Sequence, residues 1–256
     1  MKILIVSGFL GAGKTTFIKR LARNVDQRFA ILENEYGAAG IDGARLGQNR
    51  QGTQKNVWEM TEQCICCIGK KDFAASVLTI ANVVDPEYLI VEPTGVGSLA
   101  RIIENLRQIE YERIQLLSPV TIVDVYSYRR YMAEYPELYQ DQIRSADTII
   151  VSKTEACQAE EKQRIQKFLQ EINPQAKIIT DYASTMTRED YQSLLLGGRY
   201  EKEVQDTQSG EKMPETFSFE NIRMEAPETL WCFLEQIIRG AFGNIILSLI
   251  HISEPT

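Results

Sequence analysis

A glycine-rich run, Gly8-Phe9-Leu10-Gly11-Ala12-Gly13-Lys14-Thr15-Thr16, constrains this chain more than any other stretch. It fits the pattern G-x-x-x-x-G-K-[ST], and its flanks decide whether that fit has physical content. Before it stands Ile3-Leu4-Ile5-Val6, a short apolar run of the kind buried in a parallel sheet. After it, Phe17, Ile18, Leu21 and Val25 recur at helical spacing between Thr16 and Val25. Strand, loop and helix in that order aim backbone N–H groups at a helix N-terminus, where the dipole also favours negative charge. Gly8, Gly11 and Gly13 allow conformations and close approach that a β-carbon would forbid. The loop through Ala12, Thr15 and Thr16 is therefore expected to cradle phosphates, with Lys14 reaching the β- and γ-phosphates and Thr15 offering its hydroxyl to Mg²⁺. The alternative, a glycine-rich turn that binds nothing, leaves the strand before it and the helix after it unexplained.

Composition narrows the partners. The chain has 256 residues, 44% hydrophobic and 25% charged, which suits a soluble α/β domain with a smaller appendage. A net charge of -7 argues against nucleic acid or an anionic membrane as partner. No apolar run is long enough to cross a bilayer, and the N-terminal one leads directly into the phosphate loop, unlike a signal peptide. Three of the five cysteines are bunched, which does not make a disulfide framework. A cytoplasmic location is expected.

Acidic residues follow at the ends of predicted strands. Phe29-Ala30-Ile31-Leu32 reads as a strand that runs into Glu33-Asn34-Glu35-Tyr36-Gly37. The stretch from Ala38 to Gly52, with Asp42 inside it, reads as a mobile loop. Carboxylates at a strand end near a phosphate site suit Mg²⁺, directly or through water, although each of them also suits a merely solvated turn. Tyr88-Leu89-Ile90-Val91 delivers Glu92-Pro93-Thr94-Gly95, where Glu92 can hold Mg²⁺ or its water and Gly95 can bring its N–H to the γ-phosphate.

Cys64-Ile65-Cys66-Cys67 puts three thiols within four residues. Packing alone needs no such bunching. Thiolates are soft ligands for Zn²⁺, Cu(I) and related metals, and three of them leave one tetrahedral position for a carboxylate, water or partner side chain. Two other readings stay open: Cys64 and Cys67 as a redox C-x-x-C pair, or inert cysteines. Cys157 and Cys232 stand alone and read as structural.

The remaining chain continues the alternation. Leu99 to Ile109 is predicted helical, Val120-Thr121-Ile122-Val123-Asp124 a strand, and Tyr126 to Ala146 a helix broken near Pro136, with tyrosines that pack. Thr148-Ile149-Ile150-Val151 leads into Ser152-Lys153-Thr154-Glu155, where a GTPase carries its base-reading loop. Residues 158–171 form an amphipathic helix and 176–179 a last strand. This is an α/β pattern: a mostly parallel sheet covered by helices on both faces, a P-loop NTPase, with ligands at the carboxyl ends of the strands. Residues 1–196 are expected to form that domain and 197–214 a linker. Residues 215–246 begin a small α+β C-terminal domain, with a strand from Thr216 to Ile222 and a helix from Pro227 to Arg239.

With these motifs assembled, the chain resembles the CobW-like GTPases, relatives of the UreG and HypB metal-insertion GTPases in the dimer-forming SIMIBI class. The resemblance covers residues 1 to about 246 through Gly8–Thr16, Glu33–Gly37 with Asp42, Cys64–Cys67 and Glu92–Gly95. It implies Mg²⁺-dependent GTP hydrolysis at a slow basal rate, metal at the three cysteines, delivery to a client protein and a nucleotide-dependent homodimer. On that reading Lys14, Glu92 and Asp42 serve hydrolysis, and Glu35, Thr15 and Glu92 surround metal. The cargo is zinc by thiolate chemistry, with cobalt next. Rival readings are a metal sensor with negligible turnover and an ATP-dependent phosphotransferase.

The pattern departs from the family in three places. Ser152-Lys153-Thr154-Glu155 stands where N-K-x-D is usual, Gln63 where glycine precedes the cysteines, and no histidine-rich segment occurs, the sole histidine being His251. Leu247 to Thr256 reads as translated adaptor sequence, expected to be non-native and to replace the rest of the C-terminal domain.

Overall fold

Apolar strands without polar alternation need cover on both sides, and the computed structural model shows how this chain supplies it. The structure describes residues 1–27, 29–33, 57–61, 70–204 and 226–241. Its strands are β1 (Lys2–Gly8), β2 (Phe29–Glu33), β3 (Val57–Thr61), β4 (Tyr88–Glu92), β5 (Gln115–Leu116), β6 (Val120–Asp124), β7 (Thr148–Ser152) and β8 (Lys177–Ile179). They form one sheet in the order β3-β2-β4-β1-β6-β7-β8, with β5 paired to the start of β1. All pairings between these strands are parallel. Helices α1 (Lys14–Asn24), α2 (Lys70–Val83), α3 (Leu99–Arg107), α4 (Tyr128–Glu134), α5 (Pro136–Arg144), α6 (Ala159–Ile172), α7 (Tyr182–Thr185) and α8 (Arg188–Leu196) follow or join these strands, and α9 (Pro227–Ile238) comes last.

Successive residues of β1 serve opposite faces. Ile3 and Ile5 pack with Leu32, Leu89 and Val91 against Val77 and Ile80 of α2 and Leu99, Ile103 and Leu106 of α3. Leu4 and Val6 pack with Ile31 and Ile90 against Phe17, Ile18 and Leu21 of α1 and Tyr191 and Leu195 of α8. A third cluster joins Val123, Ile149 and Val151 to Tyr131, Leu138, Tyr139 and Ile143 of α4 and α5, and to Ile165 and Leu169 of α6. The expected break near Pro136 is present. The proline opens α5 at its first turn, where a missing N–H costs nothing.

Parallel register brings the functional strand ends to one edge of the sheet. Glu33 pairs with Glu92 and with Thr61, and Asp124 pairs with Ser152. Beyond α8 the chain continues to pack on this domain: Leu117 bridges to Arg199, and Tyr200 is buried with its hydroxyl donating to Ser145 O at 3.0 Å. Burial pushes the Tyr200 phenol up to about 12, so it remains a donor at any ordinary pH. In α9, Trp231 and Ile238 are exposed. The predicted strand Thr216–Ile222 and the stretch from Leu247 lie outside the described residues. Among the described residues no helix is long and apolar enough to cross a membrane.

Candidate nucleotide-binding site

The loop between β1 and α1 closes tightly on its neighbours. Gly8, Gly11 and Gly13 have φ of +144°, +69° and +100°, as the glycine spacing predicts. At Gly8 the need is also steric: a β-carbon there would stand 2.5 Å from Ile122 O on the neighbouring strand. Gly13 caps α1 without a side-chain hydrogen bond, and the first turn carries no acidic residue. Its N-terminal amides and positive dipole end are a surface suited to receive an anion. Lys14 is largely buried, and its Nζ donates to Gly8 O at 3.0 Å and Phe9 O at 3.4 Å. The cation therefore sits inside the loop, where a phosphate would offer it a full charge in place of carbonyl dipoles.

Glu92, at the end of β4, meets the loop directly. Thr15 Oγ1 donates to Glu92 Oε1 at 3.0 Å across 77 positions of sequence. A hydroxyl beside a carboxylate is the hard-oxygen donor set that Mg²⁺ prefers, so the residues present fit that ion. Past Glu92 the chain makes a turn in which Gly97 N–H donates to Thr94 O at 3.1 Å. Gly95 in that turn lies against the phosphate loop, and a β-carbon on it would stand 2.5 Å from Leu10 N. A side chain at that position would push the turn off the loop.

Ser152-Lys153-Thr154-Glu155 is tied to the same loop. Ser152 Oγ donates to Ala12 O at 2.6 Å. The short hydroxyl thus fastens the end of β7 to the phosphate loop. Lys153 has φ +61°, and its ammonium pairs with Asp124 Oδ2 at 2.6 Å. Asp124 is buried and also accepts from Tyr126 N and Ser127 Oγ, both at 2.9 Å. Such anchoring at both ends holds the Lys153 stem in place. Glu155 is exposed beyond it. Behind the loop, Lys162 pairs with Asp181 at 2.6 Å and, with a hydrogen bond from Thr154, holds that carboxyl below its usual range.

Aromatic packing fixes the loop from the other side. The Phe9 ring lies 4.2 Å from Tyr131, 5.4 Å from Tyr135 and 5.7 Å from Tyr139, and Tyr131 OH donates to Leu10 O at 2.9 Å. Burial pushes the Tyr131 and Tyr139 phenols upward, so this clasp does not titrate near neutrality. The tyrosines pack, as the sequence implies, yet one of them also holds the loop backbone.

Asp141 and Gln142 of α5, both buried, hold the turn after β4 and are positions that motif reading passes over. Asp141 Oδ2 accepts from Leu99 N at 2.7 Å and caps α3, while Gln142 Nε2 donates to Gly95 O and Gly97 O. The available signal is periodicity: both lie on the same face as Leu138 and Tyr139, where a helix buries apolar residues. Glu35, Asp42, Cys64, Cys66 and Cys67 lie outside the described residues, as does Gln63. Among the described residues no cluster of histidine, cysteine or acidic side chains could hold a metal ion. Cys157 Sγ donates to Glu161 Oε2 at 3.3 Å, and Cys232 is exposed.

A parallel sheet whose central strand runs into this loop, with an acid strand beside it, defines a P-loop nucleotide-binding domain. Residues 2–180 match the CobW/HypB/UreG family, nucleotide-binding domain, and the chain belongs to that family. The zinc chaperone YeiR of Escherichia coli K12 is 30% identical over 178 residues, covering 68% of this chain and 53% of that protein. A zinc chaperone CobW from a Sinorhizobium species is 30% identical over 182 residues, covering 60% of this chain and 51% of its own. This chain thus spans about half the length of the curated relatives it matches. The Zn(II)-bound YjiA GTPase from E. coli superposes with a TM-score of 0.53 at 20% identity, covering 79% of this chain and 66% of the other. The hydrogenase maturation factor HypB of Archaeoglobus fulgidus gives 0.51 at 19%, covering 77% and 89%. At those identities the superpositions speak for the fold.

Proposed function

We propose that this chain is a Mg²⁺-dependent GTPase that carries a transition metal, zinc or cobalt, and hands it to a client protein. The observation that carries the nucleotide part is the Thr15–Glu92 contact beside the buried Lys14. Two motifs far apart in sequence meet there as a hydroxyl, a carboxylate and a cation, the set that triphosphate and its ion require. Water attacks the γ-phosphorus, the bond from it to the β–γ bridging oxygen breaks, and GDP keeps that oxygen. Lys14 and the loop amides stabilise the charge that gathers on the transferring group. Thr15 and Glu92 would hold Mg²⁺, Glu92 directly or through water, and the ion would neutralise charge on the triphosphate. Asp42 or Glu35 orients the attacking water or the ion. Cys64, Cys66 and Cys67 hold the cargo metal as thiolates. Support for that role comes from the family membership and from relatives named as zinc chaperones. The chain acts in the cytoplasm and dimerises around nucleotide.

Guanine preference rests on Glu155. Its carboxylate can accept from guanine N1–H and the exocyclic amine, but it carries one methylene more than the aspartate usual there. GTP should bind more tightly than ATP, by less than in proteins with an intact N-K-x-D. Dissociation constants from competition against a fluorescent guanine nucleotide test this, with hydrolysis followed by phosphate release. Glu155→Asp should widen the preference by roughly tenfold, about the effect of one well-made charged hydrogen bond. Equal affinities for the two nucleotides would remove guanine from the proposal and favour an ATP-dependent phosphotransferase.

A further inference from the structure

We propose that Gln142 is a positioning residue for triphosphate recognition: its side-chain amide fixes the peptide groups around Gly95 and so aims the Gly95 N–H at the γ-phosphate. This rests on the reading of the chain as a GTPase. Gln142 is 1% exposed. Its Nε2 donates to Gly95 O at 3.2 Å and to Gly97 O at 2.9 Å. Both partners are carbonyl oxygens, which only accept, so the NH₂ end of the amide must be the end that faces them. Its other oxygen, Oε1, has no hydrogen-bond partner among the described residues. A buried amide oxygen left without a donor is costly, so the donors on the opposite end must repay the arrangement elsewhere.

The consequence for Gly95 follows from peptide planarity. In a trans peptide the carbonyl and the following N–H point in opposite directions. Thr94 O is engaged by Gly97 N–H at 3.1 Å, which turns the Gly95 N–H out of the turn. Gly95 O is engaged by Gln142, which fixes the next peptide plane. The Gly95 N–H lies in the plane held by Gly97 N–H, and Gln142 acts on it through the next plane, by limiting rotation about a Gly95 α-carbon whose β-carbon would collide with Leu10 of the phosphate loop. Gln142 is itself held: Thr121 Oγ1 on β6 donates to Gln142 O at 2.9 Å. Its neighbour Asp141 fixes the far side of the turn by capping α3 at Leu99 N. The turn is therefore gripped at both ends by adjacent residues of one helix, and that helix is anchored on a central strand.

A group that orients the γ-phosphate donor must matter for triphosphate and be indifferent to diphosphate. Gln142→Met keeps the volume and removes both donors. The test is the affinity of purified protein, with Mg²⁺, for fluorescent GDP and for a fluorescent non-hydrolysable GTP analogue. Gln142→Met should weaken the triphosphate analogue roughly tenfold and leave GDP within about twofold. Gln142→Asn, which draws the amide back by one methylene, should give a smaller loss of the same sign. Unchanged GDP affinity is itself the check on folding. Thr121→Val loosens the anchor that holds Gln142, and should shift the ratio of the two affinities in the same direction by a smaller factor. Equal weakening of both nucleotides by Gln142→Met, or an unchanged triphosphate affinity in that variant, would reduce Gln142 to a structural residue and overturn the inference alone. A wild-type protein that binds neither nucleotide would overturn the GTPase reading and the inference together.

Discussion

Lys14→Ala is expected to lose triphosphate hydrolysis by on the order of a thousandfold or more, the scale set by removing one preorganised charge from a phosphoryl-transfer site. The expectation follows from where the ammonium already is. Lys14 is 9% exposed, and its Nζ sits 3.0 Å from Gly8 O inside the loop rather than sampling solvent. Its charge is thus in place before the phosphate arrives, and no reorganisation is needed when charge develops on the γ-oxygens. The loop does not depend on that side chain for its shape. Ala12 N–H donates to Phe9 O at 3.1 Å, Ser152 Oγ donates to Ala12 O, and the Phe9 ring is packed among tyrosines. The variant should therefore fold and retain part of its nucleotide affinity while turnover collapses. Phosphate release under single-turnover conditions measures this, alongside a thermal melt. Turnover near the wild-type rate would sink the assignment of this loop as the catalytic phosphate site.

The motifs were legible because each is local. A loop whose glycines need positive φ, an acid that ends an apolar strand, and a strand running into Ser152-Lys153 all announce themselves within about ten residues. What joins them is not local. The Thr15–Glu92 contact depends on β4 lying beside β1, and nothing in either motif states that pairing. β3 is an edge strand whose run, Val57-Trp58-Glu59-Met60-Thr61, mixes polar and apolar residues, and its identity comes from pairing with β2. α8 carries a readable signal, a capping box in which Thr187 and Asp190 satisfy each other's backbone N–H, but its apolar pattern is weak. Asp141 and Gln142 are illegible for a different reason. A buried polar side chain has meaning only through its partner, and theirs are backbone atoms more than 40 residues away. A polar residue on the buried stripe of a helix asks what it bonds, and only the fold answers.

Zinc affinity should depend on which guanine nucleotide is bound, and this is the largest effect expected away from the phosphate loop. The proposal assigns zinc to Cys64, Cys66 and Cys67, which stand between Thr61 at the end of β3 and Lys70 at the start of α2. Thr61 pairs in register with Glu33, and Glu33 with Glu92, so two strand spacings of about 5 Å each separate the end of β3 from the Mg²⁺-type pair. Cys64 follows Thr61 by three residues, a reach of at most about 11 Å. By these reaches, metal carried there would lie within about 21 Å of the Thr15–Glu92 pair. Contacts to a γ-phosphate commonly order neighbouring segments, and hydrolysis releases them. Triphosphate contacts beyond the end of β2 would then fix the thiolates in a ligating geometry and bring a carboxylate near as fourth ligand. Linkage then makes the effect reciprocal: if GTP tightens zinc, zinc tightens GTP by the same factor, ordinarily about 5–150-fold. Thiols must deprotonate to ligate, so affinity should also rise with pH through the thiol range. Competition with a chromophoric chelator measures zinc affinity, once with GDP and once with a non-hydrolysable GTP analogue. Cys66→Ser should abolish the tight site in both states, since two thiolates cannot replace three. Equal zinc affinities in the two nucleotide states would leave a GTPase that happens to bind metal, and nucleotide-driven delivery would be refuted.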